Sequence, residues 1–195
     1  IKKMSDCFTE NNEVLAVICK ENRIDEYGQF LNKENTGTDK LTKINLDYEI
    51  RNCLGAGHVL AVRKNVINEY GHLIKKEHLT FDVPLAMVAS TLDGFYQLDS
   101  YLVNRRIHKN NTSGIKDNKL YLVKNKTRYI DGRKYRLKYF KFINDYMSFH
   151  LSDKDKRELK KALKILESSI YALEHQKITP IVREIISRNK FINKK

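Results

Sequence analysis

The stretch "FDVPLAMVASTLDGFYQLDSYLVNRRI", residues 81–107, passes from one kind of periodicity to another. Asp82 stands before Val83-Pro84, and proline is favoured in the first turn of a helix, so Asp82 is a good N-cap for a helix over about 83–92 that closes near Gly94. "PLAMVASTL" is apolar on nearly every face, which implies a helix buried inside the domain. "FYQLD" and "YLVNRRI" then alternate as strand material. The strand runs into "RRIHKNNTSG", residues 105–114, which packs two arginines, a histidine and two asparagines before a glycine. A rigid strand that presents a polar loop is a common place for chemistry, and also for a solvated turn.

Working outward, "EVLAVIC" at 13–19 is a β-type run, followed by turn chemistry around Gly28. Residues 31–45 are polar and suggest a mobile surface loop. "CLGAGHVLAVRKNVINEYG" offers a turn at 55–57, a short strand at about 58–63, and a helix ending near Gly71. Strands and helices interleave up to about residue 110, the α/β pattern. Beyond residue 115, aromatics recur at helical spacing over 134–149. Ser152 opens a second helix with apolar positions 159, 163, 166, 170 and 173, and Pro180 precedes a last one over about 180–191. The chain therefore divides into an α/β part, 1–114, and a basic helical subdomain, 115–195.

Composition sets the class. With 195 residues, 41% of them hydrophobic and 10% aromatic, the chain has enough apolar material for a substantial core. Its best apolar run, "VLAVIC" at 14–19, is of strand length, far below the roughly 20 residues of a membrane span. Cys7, Cys19 and Cys53 form no CxxC pair and leave an odd count, which fits a reduced, cytoplasmic setting and supports neither a zinc site nor a disulfide framework. The opening "IKKMSDCFTENNEV" looks like the middle or end of an amphipathic helix without an N-cap, so further residues are expected before Ile1.

Charge is divided unevenly. Residues 1–114 hold 15 Lys or Arg against 15 Asp or Glu, whereas residues 115–195 hold 22 against 9 and so carry the net +13. A basic segment of this kind suits nucleic acid, acidic lipid headgroups or an acidic protein, and it is also the composition of a solvated helix face. It contains no helix-turn-helix spacing, RNP-type strand or zinc ligands, which argues against nucleic acid.

"GAGHVLAVRKNV" followed by "HLTFDVPLAMVASTLDGFYQLDSYLVNRRIHKNNTSG" resembles the second half of a family-two glycosyltransferase domain of the nucleotide-sugar-binding GT-A fold. Bacterial rhamnosyltransferase-like enzymes of surface-polysaccharide synthesis are the nearest in character. "NNEVLAVICKENRIDEYGQF" is similar to that family's strand after its metal motif. In the family a His-Asp or Glu-Asp pair starts the buried helix, and a Tyr-Arg-Gln-His segment with a following Asn and Gly closes the site. The corresponding residues here are Phe81-Asp82 and Arg105-Arg106-Ile107-His108, then Asn110, Asn111 and Gly114. Phe81, Arg105 and Ile107 depart from the pattern. The resemblance covers residues 1–114, and it implies that the nucleotide-binding half and the Asp-X-Asp metal motif lie upstream.

The resemblance implies a metal-dependent, inverting transfer of sugar from a nucleotide-sugar donor to a glycan or lipid-linked acceptor. Asp82 would be the general base, if it is more than a helix cap. His108 would be the third protein ligand of a divalent Mn or Mg ion, against the commoner role of a plain surface histidine. Arg105 and Arg106 both suit diphosphate oxygens; alternation sends them to opposite faces, and the family pattern picks Arg106. Asn110, Asn111 and Gly114 would shape the closing loop, and Gly55 and Gly57 would line the acceptor side, unless they serve only as turns. Asp153-Lys154-Asp155 also spells Asp-X-Asp, but its place in a first helical turn marks helix capping. The basic tail would either lay Tyr129, Tyr135, Tyr139, Phe140 and Phe142 on an anionic inner membrane face or pack as an ordinary subdomain. A non-catalytic scaffold descended from such an enzyme is the third possibility.

Overall fold

A computed structural model describes residues 2–32, 34–108 and 126–175. It is an α/β structure around one mixed sheet. In chain order the elements are α1 (Lys2–Glu10), β1 (Ala16–Ile24), β2 (Gly37–Lys43), α2 (Leu46–Asn52), β3 (Leu60–Val62), α3 (Lys64–Lys76), α4 (Asp82–Thr91), β4 (Phe95–Arg106), α5 (Lys126–Met147) and α6 (Asp153–Glu174). The strand order is β2-β4-β1-β3, with β4 parallel to β1 and the two outer pairings antiparallel.

Helix α4 fixes the architecture because it is buried on both sides. Ala86 and Ala89 pack with Ala16, Ile18 and Phe95 of the sheet, while Leu85, Met87 and Val88 join a second cluster built by the other helices. Small residues on the sheet side let the helix approach closely, and larger ones on the other side fill the wider gap. Helix α1 covers the opposite sheet face, where Met4 and Phe8 meet Val14, Val17, Tyr96 and Leu98. Arg63 clamps α1 in place: Nε donates to the Val14 carbonyl at 2.5 Å, and Nη2 to those of Phe8 and Asn11 at 2.6 and 3.1 Å.

The expected loop over 31–45 instead contains the edge strand β2. Its residues are almost all exposed, so no apolar alternation marks it in the sequence. Gly37, at φ 81°, permits the pairing, since a Cβ there would collide with the Asp99 carbonyl. Helix α3 does not end near Gly71 but continues to Lys76; Gly71 is buried in mid-helix, where a Cβ would already touch the Phe81 ring at 3.5 Å. The turn after α4 closes through Asp93, at φ 63°, rather than through Gly94. Gly94 is needed for a different reason: its carbonyl accepts from Leu15 and Ala16, and a Cβ would lie 2.5 Å from Leu15 Cγ.

Helices α5 and α6 pack on α4, α3 and α2 in a shared core. Phe140 and Phe142, expected among the membrane-facing aromatics, are 1% and 2% exposed and lie in that core with Ile143, Met147, Leu159 and Leu166. Tyr139 is half-buried and Tyr135 is exposed. Arg133 donates to Ser169 at 3.0 Å, and Lys134–Glu174 and Lys141–Glu167 pairs bridge the two helices. Ser152 caps α6 by accepting from the Asp155 N–H at 3.1 Å, which places Asp153 and Asp155 in the first turn. Among the described residues no helix is long and apolar enough to cross a membrane. The expected helix after Pro180 lies outside the described residues, as do Asn110, Asn111 and Gly114.

Candidate functional site

The parallel strands β1 and β4 run out together, with Arg23 opposite Arg105 and Ile24 opposite Arg106. In α/β sheets this carboxyl end is where ligands are usually held. Adjacent side chains on β4 face opposite sides, as alternation requires, and the two arginines have different partners. Arg105 Nη1 donates to Glu21 Oε1 at 3.2 Å. Arg106 donates to the carbonyls of Asp25 and Glu26, in the turn where Asp25 Oδ1 accepts from Tyr27 and Gln29 at 2.9 and 2.8 Å. The turn closes through Gly28 at φ 90°. Arg106 therefore ties the end of β4 to the turn after β1. His108 follows two residues beyond the strand and is exposed.

Asp82 comes to this region from α4. It is the first helical residue rather than the N-cap; Phe81 holds that position and contributes no side-chain bond. Asp82 Oδ1 accepts from the Val83 N–H at 3.0 Å and Oδ2 from the Gly57 N–H at 3.3 Å. A carboxylate at a helix N-terminus is favoured by the unpaired N–H groups there. The Gly55–Gly57 segment passes directly over it: a Cβ on Gly55 would lie 2.7 Å from Val83 Cα and 2.8 Å from the Asp82 carbonyl oxygen. Gly55, Gly57 and Asp82 thus form one contact.

Three neighbours complete the region. Glu49 is fully buried, and its Oε2 accepts from the Leu54 N–H at 3.0 Å, holding the segment that leads to Gly55. Burial pushes its carboxyl up to about 7, against the lowering effect of the Leu54 and Gly55 N–H groups and of Arg136. Arg136, from α5, donates to the carbonyls of Ile50 and Arg51 at the end of α2. Tyr139, also from α5, shares a 2.9 Å hydrogen bond with Thr80; burial raises its phenol, Thr80 opposes this, and the nearby Asp82 adds to it.

Glu21 is the junction on the strand side. Its Oε2 lies 2.5 Å from His58 Nε2 while Oε1 takes Arg105. Burial raises its carboxyl, and the bonds to His58 and Arg105 more than offset this, leaving it below the usual range. Sequence reasoning passed over both Glu21 and His58, although His58 stands inside "GAGHVL". The signal was a histidine directly after a glycine turn at a strand entry; its partner lies 37 positions away. Among the described residues no three His, Cys, Asp or Glu side chains gather as a metal site. Among the described residues His108 is therefore not joined by a donor set that fits a divalent ion.

In comparison with known proteins, the chain matches no family model, no curated protein and no solved structure.

Proposed function

We propose that this chain is the acceptor-side part of a glycosyltransferase that moves a sugar from a nucleotide-sugar donor to a glycan or lipid-linked acceptor. The contact of Gly57 with Asp82, beside the carboxyl ends of β1 and β4, carries this proposal. It joins the glycine segment to the helix-opening carboxylate, and His58, next to Gly57, leads through Glu21 to Arg105 on β4, so that the motifs on which the family resemblance rests lie in one connected region. In this reaction an acceptor hydroxyl attacks the anomeric carbon of the donor and the nucleoside diphosphate departs. The family pattern would put Asp82 at that hydroxyl, Arg106 toward the diphosphate and His108 on a Mn or Mg ion. Arg106 would serve the diphosphate partly by holding the Asp25–Gln29 turn, since its guanidinium is already bonded to that turn.

The test is a thermal-shift titration of the complete protein with UDP, dTDP and GDP, each with and without Mn²⁺, for wild type and His108→Ala. Stabilisation by one nucleotide only in the presence of metal, reduced in the variant, is the expected result. No shift with any nucleotide overturns the proposal. The alternative, an anionic surface bound by the basic helical segment, loses Phe140 and Phe142 as interfacial anchors because both are in the core. Binding to anionic vesicles or nucleic acid with a steep salt dependence would mark it.

A further inference from the structure

Glycosyl transfer needs a destination for the proton of the acceptor hydroxyl, and the two oxygens of Asp82 are already engaged. Both accept backbone N–H bonds, from Val83 at 3.0 Å and from Gly57 at 3.3 Å. The residue next to Gly57 is His58, and its arrangement is that of an oriented base. Glu21 binds Nε2 at 2.5 Å and is itself held as a carboxylate by Arg105 at 3.2 Å. A carboxylate accepts only, so Nε2 carries the hydrogen and the neutral ring keeps its lone pair on Nδ1. The His58 side chain is 42% exposed while Glu21 and Arg105 are each 21% exposed, so the imidazole is the member of the trio that faces outward. The charged group bonded to it is Glu21 from β1; Arg105 from β4 holds the other oxygen of that carboxylate, and Asp82 from α4 is bonded to the preceding residue, Gly57.

We propose that His58, oriented by Glu21, takes the acceptor-hydroxyl proton at Nδ1, while Asp82 fixes the Gly55–Gly57 segment that carries His58 into place. The step rests on the glycosyl-transfer proposal and reassigns one role within it. The hydroxyl oxygen forms a bond to the anomeric carbon and its proton passes to Nδ1. The bond from that carbon to the phosphate oxygen breaks, and the nucleoside diphosphate leaves with the electron pair. The resulting imidazolium is stabilised by Glu21 until it releases the proton to water. Arg105 contributes by keeping Glu21 ionised, so that Glu21 orients the ring instead of competing for the proton.

Two measurements on the complete protein test this. The first is the ¹⁵N spectrum of its histidines between pH 5 and 9, for wild type, His58→Gln to assign the signal, and Glu21→Gln. Expected is the Nε2–H tautomer for the neutral His58 ring in wild type, with that preference lost in Glu21→Gln; an Nδ1–H tautomer in wild type, or a tautomer unaffected by Glu21→Gln, overturns the proposal. The second is the pH profile of sugar turnover with UDP-, dTDP- and GDP-sugars. His58→Gln is expected to lose about 10²- to 10⁴-fold in kcat and to lose the acidic limb, with nucleotide-induced thermal shifts unchanged. A His58→Gln loss below tenfold with the acidic limb intact, or an acidic limb that disappears only in Asp82→Asn, overturns it. Nucleotide binding without loss of the limb thus sinks the His58 step alone. Absence of both nucleotide binding and turnover in the wild type sinks glycosyl transfer and this step together.

Discussion

The Gly57 N–H donates to Asp82 Oδ2 at 3.3 Å across 25 positions of sequence, and this bond joins the segment after α2 to the first turn of α4. Two glycines flank the junction and their surroundings differ. A Cβ at Gly55 meets backbone at 2.7 and 2.8 Å, which cannot yield as a flexible side chain does, whereas at Gly57 the nearest atoms are 3.7 Å away. Gly55→Ala should therefore cost about 1–3 kcal/mol. Gly57→Ala should stay within about 0.5 kcal/mol of wild type. Urea unfolding of the two variants measures the difference, and equal stabilities would refute it.

Glu49 makes stability depend on pH. Its ordinary value is 4.5 and burial lifts it to about 7 in the folded protein. Below the ordinary value both states bind the proton and no penalty arises. As pH rises toward 7 the unfolded chain releases the proton first, so stability falls, by about 3 kcal/mol once the folded value is passed. Glu49→Gln should lose this decline, and unfolding curves at pH 4.5, 6 and 8 would show it as a flatter profile than that of wild type.

Phe140 and Phe142 should behave as core residues despite the basic segment they occupy. Replacing either with Ala should cost about 3–5 kcal/mol. Tyr135→Ala, on the exposed side of the same helix, should change stability by no more than about 0.5 kcal/mol. Denaturant midpoints for the three variants give the comparison, and a large loss at Tyr135 would contradict the packing.

Arg63 holds three carbonyls with a planar fork, and its guanidinium also lies 5.3 Å from the centre of the Phe8 ring. Lysine has one donor centre and cannot span them. Both Arg63→Lys and Arg63→Ala should cost about 1–3 kcal/mol, and hydrogen exchange should accelerate in α1 before it does in β1. Equal protection of α1 in the variants and wild type would remove this role.

Much of the fold was legible where pattern and burial agree. The uniformly apolar 84–92 run announced a helix covered on both sides, the alternation after Gly94 announced β4, and Ser152 announced the start of α6. Strand β2 was not legible, because an exposed edge strand uses polar residues on both faces and depends on the pairing of Gly37 with β4, a tertiary fact. Gly71 misled because glycine often ends helices for conformational reasons, but here it sits buried in the middle of α3 with ordinary helical backbone. At the site, Gly55, Gly57 and Asp82 each stood out in the sequence, but their contact across 25 positions is a tertiary fact. Glu21 and His58 did not stand out, since no local spacing connects a residue in mid-strand to one after a distant turn. Glu49 was hidden in the same way: its sequence context is an ordinary polar helix, and its burial comes from the helices that follow.

The double burial of α4 also bears on how the protein is made. Ribosomes deliver the chain from its N-terminal end, so the sheet and the inner face of α4 can associate while Leu85, Met87 and Val88 still lack Phe140, Ile143, Met147 and Leu159. Until those residues emerge, the nascent protein carries an uncovered apolar surface of the kind that chaperones bind and that drives aggregation. Translation arrest between β4 and α6 would leave a product in that state, with its sheet assembled and one wall of its interior open to the cell.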